Sequence, residues 1–163
     1  MKFKVGLAQI APRLGDVAAN LRLHLDTAAE AAAQGVDLLV FPELSLTGYR
    51  LGDRAFDVAI RATADDPVFM ALLDASQSLD LVVSFVEEDE RSRYTISAAY
   101  LSAGRLVHRH RKVYLPTYGE FNEARTFAHG DTARAFDTRF GRAGLLVCED
   151  FWHASLPYVL WQD

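Results

Sequence analysis

Two short apolar segments, separated by one long amphipathic segment, open the chain and restrict the folds that it can adopt. Residues 3–10 and 36–41 are predicted to be buried strands, and Gly35 and Pro42 bound the second of them. Residues 17–34 are rich in alanine and leucine and carry apolar side chains at helical spacing. The chain is therefore expected to begin as strand, helix, strand.

More strands than helices are predicted in the rest of the chain. Helices are expected at residues 56–64 and 67–78. Strands are expected at residues 79–87, 94–101, 105–110, 133–138 and 142–148. This order predicts an α/β fold in layers, in which helices cover sheets that are antiparallel in part. Residues 111–130 show neither pattern, and an irregular segment of this length inside a domain usually has a function.

Size and charge exclude several classes of function. A chain of 163 residues can form one domain with a core of its own. Its formal net charge of −5 provides no basic field that would hold nucleic acid or an anionic membrane. No apolar stretch approaches the ~20 residues that cross a bilayer, and no apolar segment typical of a signal peptide follows Met1. With a single cysteine, Cys148, these features favour a reducing, cytoplasmic location.

Three side chains with complementary chemistry lie at the ends of predicted strands or just after them: Glu43, Lys112 and Cys148. Active sites of α/β proteins gather at the carboxyl edge of the sheet, so the three are expected to meet there. The carboxylate can take the proton of the thiol as a general base and return it to a leaving amine. The ammonium can lower the pKa of the thiol and stabilise an oxyanion. The backbone N–H of Glu149 is the expected second oxyanion donor.

Each of the three residues also has a structural interpretation. Cys148 could be a small buried hydrophobe, and Glu43 could be a solvated carboxylate after a proline turn. Lys112 ends a basic run that is typical of a solvated strand face. His108 and His110 share one strand face with Lys112 and could form a metal pair. Because no further cysteine or histidine has convincing ligand spacing, no metal site is predicted.

Other side chains close in sequence to these three are further candidates. Tyr49, Tyr118 and Trp152 could line a substrate pocket, although each also suits a core position as a large apolar body with a polar handle. His153 could act as an acid or a base, but a capping or surface role is favoured. The two acidic residues after the cysteine are expected to be structural, through hydrogen bonds of their side chains around it.

Three segments of the sequence together resemble the signature segments of the nitrilase superfamily of carbon–nitrogen hydrolases. They are Phe-Pro-Glu with Gly-Tyr (residues 41–43 and 48–49), Arg-Lys with Leu-Pro (111–112 and 115–116), and Val-Cys-Glu-Asp (147–150). The resemblance runs from Lys4 to the end of the chain. It implies an α-β-β-α sandwich and a Glu-Lys-Cys triad, here Glu43, Lys112 and Cys148. It also implies a second glutamate that positions the lysine and the substrate, and this role maps onto Glu120.

Within the superfamily, residues 41–49, 112–123 and 148–152 are most similar to the glutaminase domain of glutamine-dependent NAD synthetase. In that family the domain releases ammonia from glutamine and passes it to an ATP-using synthetase domain on the same chain. The resemblance implies that Tyr49 and Tyr118 line the glutamine pocket, with Trp152 close by, and that the protein assembles into homo-oligomers. The sequence contains neither a synthetase domain nor a Ser-Gly-Gly-type pyrophosphate loop. No cofactor is therefore expected in this chain, and ATP only if a synthetase domain follows.

The end of the sequence is predicted to lie inside a longer protein. Residues 155–163 are apolar and aromatic, which is typical of the middle of a helix. The family resemblance implies that a catalytic domain continues beyond the cysteine. Residues 1–163 are therefore interpreted as the N-terminal part of one carbon–nitrogen hydrolase domain, truncated soon after the nucleophile, with a sandwich that is incomplete at its C-terminus.

The predicted function is amide hydrolysis through a thioester intermediate, with glutamine as the substrate and ammonia supplied to NAD synthesis. One alternative keeps the mechanism and changes the substrate: a stand-alone amidase or N-carbamoyl hydrolase. Downstream sequence would separate these two, since a Ser-Gly-Gly-x-Asp-Ser-type loop would favour NAD synthetase. A second alternative is a non-catalytic fragment or scaffold subunit, in which Cys148→Ala would change nothing measurable.

Overall fold

A five-stranded mixed sheet forms the centre of the computed structural model, which describes residues 2–163. Its strands lie side by side in chain order: β1 (Val5–Leu7), β2 (Leu38–Val40), β3 (Asp80–Glu88), β4 (Tyr94–Ser102) and β5 (Arg105–Arg111). The first three strands are parallel, whereas β3, β4 and β5 pair antiparallel. A separate two-stranded sheet contains β6 (Phe136–Thr138) and β7 (Gly141–Ala143). The predicted α/β class, with sheets that are antiparallel in part, is confirmed.

Among residues 2–163, three α-helices accompany the sheets: α1 (Val17–Ala33), α2 (Pro67–Ala75) and α3 (Ser155–Gln162). The carboxylates of Asp16 and Asp66 accept hydrogen bonds from backbone N–H groups in the first turns of α1 and α2. These aspartates satisfy donors that have no partner inside a helix. Gly35 follows α1 with a φ of +70°, a conformation that ends a helix at little cost to glycine. Within this described part of the chain, no helix is long and apolar enough to cross a membrane.

The two faces of the central sheet are covered by different kinds of structure. Helices α1 and α2 cover one face, where Leu81, Val83 and Phe85 of β3 are buried. Val82 and Val86 of the same strand point to the opposite face. That face is covered by β6 and by loop residues that include Leu44, Leu51, Leu115 and Val147. These loops also carry Glu43, Lys112 and Cys148, so burial of their apolar residues brings the three segments together.

The helix predicted at residues 56–64 is not formed. A 3₁₀ helix lies slightly upstream, at Gly52–Val58, and Ile60 forms a parallel bridge with Glu87 at the end of β3. The backbone of Ile60 both donates to and accepts from this strand, and its side chain is buried. Tertiary hydrogen bonding and burial therefore override the local helical pattern.

The strand predicted at residues 142–148 is shorter than expected. β7 ends at Ala143, and residues 144–147 lie outside any strand. Leu145 and Val147 still pack against the core. A strand requires a hydrogen-bonding neighbour, and residues 2–163 provide none for this segment. The apolar composition predicted correctly that Leu145 and Val147 pack against the core. It could not predict that residues 144–147 would lack hydrogen-bonded pairing with a neighbouring strand.

Candidate active site

Lys112 brings together the carboxylates at the centre of the candidate site. It directly follows β5, and its side chain is fully buried. Its Nζ lies 2.7 Å from Glu43 Oε1 and 2.9 Å from Glu123 Oε1. Cys148 lies close to the same carboxylate, since burial and then the charge of Glu43 raise the pKa of the Cys148 thiol. The structure thus places Glu43, Lys112 and Cys148 in one cluster, at the loops after β2 and β5 and after residues 144–147.

The buried lysine is compensated by two carboxylates. Desolvation works against its charge, but hydrogen bonds to Glu123 and Glu43 outweigh that effect and raise the pKa of Lys112. The ammonium therefore stays protonated. Burial also raises the pKa of Glu43, and Lys112 offsets only part of this shift. A carboxylate with a raised pKa is a better proton acceptor near neutral pH.

The pKa of the Cys148 thiol differs in direction from the sequence-based prediction. We expected Lys112 to lower it, but loss of solvent around the sulfur, followed by the charge of Glu43, raises this pKa. Lys112 opposes the shift only in part, because Glu43 and Glu123 already neutralise its charge. The resting sulfur is therefore a thiol rather than a thiolate, and its attack requires a base at the moment of reaction. Among the charged side chains, Glu43 contributes most to the raised pKa of this thiol, after burial.

The segment that carries Glu43 is fixed by burial and by neutral hydrogen bonds. Leu44 adopts a φ of +51°, and its side chain is fully buried. The Leu44 N–H donates to Ser84 Oγ of β3 at 3.0 Å. On the next residue, Ser45 Oγ lies 2.9 Å from His24 Nε2 of α1. The loop is thus attached to both the sheet and the first helix, immediately beside the catalytic candidate.

His24 holds that loop as a neutral imidazole. Burial lowers its pKa. Its Nδ1 lies 2.7 Å from the backbone carbonyl oxygen of Asn20, which can only accept, so Nδ1 carries the proton. Nε2 is then left to accept from the Ser45 hydroxyl. This arrangement uses both ring nitrogens for structure and leaves neither for proton transfer.

Cys148 lies at a tight turn rather than at the end of a strand. Its φ is +45°, in the left-handed region that costs a non-glycine residue about 1 kcal/mol. The Asp150 N–H donates to the Val147 carbonyl at 3.0 Å, and the Val147 N–H donates to Asp150 Oδ2 at 3.2 Å. These two bonds close the backbone around the cysteine. The residue as a whole is exposed.

The second glutamate beside Lys112 is Glu123. The family resemblance had implied Glu120 for this position. Glu123 lies eleven residues after Lys112 and also accepts a hydrogen bond from the hydroxyl of Tyr49. Glu120 lies at the surface, where it pairs with Arg50. Both glutamates belong to the irregular segment after β5. Strand alternation cannot decide which of them turns inward, because a loop has no such period.

The predicted pocket residues occupy different depths. Tyr49 lies inward, where burial and then its bond to Glu123 raise its pKa. Tyr118 is 60% exposed, and its hydroxyl donates to Glu149 Oε2 at 2.7 Å. Trp152 is 80% exposed. Glu149 also faces His153, whose Nε2 lies 3.2 Å from Glu149 Oε1. Tyr118 and Glu149 thus place a polar pair next to Cys148, whereas Tyr49 supports the lysine side.

A cavity of about 440 Å³ adjoins the lysine side of the cluster. Tyr49 and Glu123 form part of its wall, together with the surface pair Arg50 and Glu120. Its remaining lining is mixed, with apolar side chains from Leu44, Leu51, Phe121 and Phe127 and polar ones from Asp53, Asn122, Arg125 and Thr126. Cys148 does not line this cavity. The cavity therefore borders the cluster at Tyr49 and Glu123 and not at the thiol.

The two histidines that share a strand face with Lys112 have separate structural partners. His108 stacks on Phe136, with the ring centroids 4.2 Å apart. His110 Nε2 lies 2.8 Å from Asp150 Oδ2. Across residues 2–163, no group of three or more histidine, cysteine, aspartate or glutamate side chains has the arrangement of a metal site.

The sequence profile of the carbon-nitrogen hydrolase family matches residues 4–163. The chain belongs to this family. The carbon–nitrogen hydrolase chain is 33% identical over 152 residues to the glutamine-dependent NAD(+) synthetase of Acinetobacter baylyi, a match that covers 92% of this chain and 27% of that protein. It is 29% identical over 166 residues to a probable nitrilase of Schizosaccharomyces pombe, covering 98% of this chain and 58% of the relative.

A solved structure gives the same relationship in three dimensions. The glutamine-dependent NAD+ synthetase from Acinetobacter baumannii, in complex with ADP, superimposes with a TM-score of 0.82 at 30% sequence identity. The superposition covers 96% of this chain and 29% of the synthetase chain. The predicted resemblance and the predicted enzyme class, a hydrolase of carbon–nitrogen bonds other than peptide bonds, are confirmed at the level of the family. The carbon–nitrogen hydrolase chain spans less than a third of the length of the synthetases that it matches.

Proposed function

We propose that this carbon–nitrogen hydrolase cleaves a carboxamide with Cys148 as nucleophile, Glu43 as general base and acid, and Lys112 as oxyanion partner. The observation that carries the proposal is the position of Glu43. Its carboxylate lies 2.7 Å from the Lys112 ammonium. It is also close enough to Cys148 that its charge, after burial, raises the pKa of the thiol. One carboxylate is therefore in place to move a proton from sulfur while a fixed positive charge lies beside it.

In the first half of the reaction, the Cys148 sulfur attacks the amide carbon and Glu43 takes the thiol proton. The carbonyl π electrons move to oxygen, and the resulting oxyanion is stabilised by Lys112 and by the backbone N–H of Glu149. Collapse of this intermediate breaks the carbon–nitrogen bond. The protonated Glu43 returns its proton to the leaving nitrogen, so that ammonia departs and a thioester remains on Cys148.

In the second half, water hydrolyses the thioester. Glu43 takes a proton from the water as it attacks the carbonyl carbon, and the same oxyanion partners act again. Collapse breaks the carbon–sulfur bond, and Glu43 returns its proton to the sulfur. Glu123 supports both halves, because its carboxylate accepts a second hydrogen bond from Lys112 and helps to keep the ammonium charged.

Glutamine is the proposed substrate. The similarity to glutamine-dependent NAD synthetases supports it, as does the polar pair of Tyr118 and Glu149 beside the thiol, which offers a carboxylate to the α-ammonium group of an amino acid. We further propose that the ammonia serves NAD synthesis, in an ATP-using synthetase domain of the natural protein. Homo-oligomeric assembly and a cytoplasmic location belong to the same proposal.

A stand-alone amidase or N-carbamoyl hydrolase is the second candidate. It is favoured by the similarity to the probable nitrilase of S. pombe, of which this chain covers 58%. Ammonia release by the protein at its natural length separates the two candidates. The first predicts that glutamine is preferred over simple aliphatic amides and N-carbamoyl amino acids by at least tenfold in kcat/KM. A preference in the opposite direction would overturn the glutamine assignment.

A further inference from the structure

Asp150 connects the segment that carries Cys148 to the segment that carries Lys112. Its carboxylate is fully buried. Oδ1 accepts from the backbone N–H groups of Val113 and Tyr114, at 3.0 and 2.9 Å, directly after Lys112. Oδ2 accepts from the Val147 N–H at 3.2 Å and lies 2.8 Å from His110 Nε2. One side chain therefore contacts the backbone on the N-terminal side of Cys148, His110 on β5 before Lys112, and the two residues after Lys112.

The position of the cysteine requires such a restraint. Cys148 holds a left-handed conformation that non-glycine residues rarely adopt. The turn is exposed on its outer side, where Phe151 and Trp152 are 72% and 80% exposed. The buried side chain of Val147 holds the N-terminal side of the turn, and hydrogen bonds to a buried group add a second restraint. Asp150 is the side chain that provides them.

His110 completes the connection from the strand. It lies on β5 two residues before Lys112, on the same strand face, and it is 2% exposed. The Asp150 carboxylate has four hydrogen-bond partners, and the other three are backbone N–H groups whose positions are set by the main chain. His110 is the one partner of Asp150 that a substitution can remove without altering the carboxylate itself.

We propose that Asp150 and His110 are positioning residues, which hold Cys148 in its left-handed turn at a fixed distance from Lys112. This inference rests on the proposed function, because alignment of the thiol with Lys112 matters only if Cys148 is the nucleophile. The two residues do not touch the reacting atoms. Their loss should therefore reduce the rate of the chemical step more than the affinity for the substrate.

The test compares two variants at one position, His110→Gln and His110→Leu, in the protein at its natural length. Glutamine can place an N–H donor close to the position of His110 Nε2, and leucine cannot. We expect His110→Gln to keep kcat within about threefold of the parent and His110→Leu to lose about tenfold or more, each with KM changed by less than about threefold.

Asp150→Asn should lose about 100-fold in kcat, because its amide nitrogen would face the N–H groups of His110 and Val147. Asp137→Asn, with a side chain that is 83% exposed, is the matched control and should retain full activity.

Thermal midpoints and the rate of iodoacetamide labelling of Cys148 complete the measurement. Labelling needs the thiol and its base but not the oxyanion partners, so it should fall by a smaller factor than kcat in His110→Leu. A merely structural role predicts instead that kcat follows the thermal midpoint. His110→Gln and His110→Leu would then be equally active when equally folded, and this result would overturn the inference.

If the parent protein released no ammonia from any amide, the proposed function would fail separately. A labelling rate that differs between the two His110 variants would then still support the restraint, and equal rates would refute it.

Discussion

The segment that carries Glu43 and the segment that carries Cys148 meet at one site but are attached to the fold by different means. Beside Glu43, Leu44 and Leu46 are fully buried, and the backbone and Ser45 make neutral hydrogen bonds to Ser84 and His24. Beside Cys148, the outer residues are exposed, and the buried carboxylate of Asp150 holds the turn. Apolar packing and neutral hydrogen bonds thus hold the segment of Glu43, whereas the segment of Cys148 combines the buried Val147 with hydrogen bonds to the buried carboxylate of Asp150.

This difference suits the roles that we propose for the two residues. A general base gains from a dry surrounding, since burial raises the pKa of Glu43. A nucleophile must be reached by its substrate, so its segment cannot be covered in the same way. Charged hydrogen bonds can hold an exposed turn without covering it. The four predictions below test the two sides of this comparison, from the largest expected effect to the smallest.

The largest effect is expected from Glu43→Gln. Glutamine can still accept from Lys112 but cannot take a proton from the thiol, so kcat should fall about 1,000-fold. Steady-state ammonia release measures the loss, and the thermal midpoint should change little. Glu30→Gln, on the exposed side of α1, is the control and should retain full activity. A Glu43→Gln protein within tenfold of the parent would show that another group is the base.

Lys112→Met removes the positive charge between the carboxylates of Glu43 and Glu123. Glu43 and Glu123 would then face each other without a cation, and the free energy of unfolding should fall by about 3 kcal/mol. Urea unfolding measures this change. Adding Glu123→Gln to Lys112→Met should restore part of the stability but none of the activity. Lys4→Met, at an exposed lysine, should cost less than about 1 kcal/mol. Equal stability of Lys112→Met and the parent would contradict the buried network.

Apolar truncation should distinguish the two segments. Leu46→Ala on the Glu43 side leaves a cavity in the core and should cost about 3 kcal/mol. Phe151→Ala on the Cys148 side removes a side chain that is 72% exposed and should cost less than about 0.5 kcal/mol. Chemical unfolding of the two variants gives the comparison. Similar costs for both would show that packing holds the two segments alike.

Acid should weaken the two segments in different pH ranges. Burial lowers the pKa of His24, so the unfolded chain binds a proton near pH ~6.5 while the folded chain resists it. Stability therefore falls as the pH drops below about 6.5. The pKa of Asp150 is also lowered, although burial opposes the shift, because His110 and backbone N–H groups favour the carboxylate. Its contribution is present above about pH 4 and is lost as the pH falls further.

Urea unfolding at pH 7 and pH 5 measures the first of these ranges. The free energy of unfolding of the parent should fall by about 1 kcal/mol across this interval through His24. The same interval should give a smaller fall in His24→Gln, which has no titrating ring. An identical slope in the two proteins would show that His24 is not held neutral by the fold.

The sequence alone predicted the central cluster because its members follow elements with clear periods. Glu43 comes after an apolar strand bounded by glycine and proline, and Lys112 directly follows a strand and continues its alternation. Glu123 was missed because the segment after β5 has no period, and only the folded loop shows that it, and not Glu120, contacts the lysine. The direction of the Cys148 pKa was missed because it depends on how far Glu43 neutralises Lys112, which spacing does not reveal.

The same limit explains the errors in the fold. The strand expected up to Cys148 has the right apolar residues, but hydrogen-bonded pairing is a property of the neighbouring chain and not of the segment. The helix expected at residues 56–64 has helical spacing, but Ile60 is bound to the end of β3. Local pattern predicted burial at both places. Tertiary hydrogen bonds decided the backbone conformation.

The central claim is that Cys148 forms a thioester during amide hydrolysis, with Glu43 as its base. The most direct measurement is mass spectrometry of the natural-length protein, quenched with acid during turnover of glutamine and digested. The account predicts a glutamyl group on the peptide that contains Cys148. Cys148→Ala should show neither this adduct nor ammonia release. Glu43→Gln should not accumulate the adduct, and its rate of ammonia release should fall to about a thousandth of the parent rate. Undiminished ammonia release by Cys148→Ala, without any adduct in the parent, would contradict it.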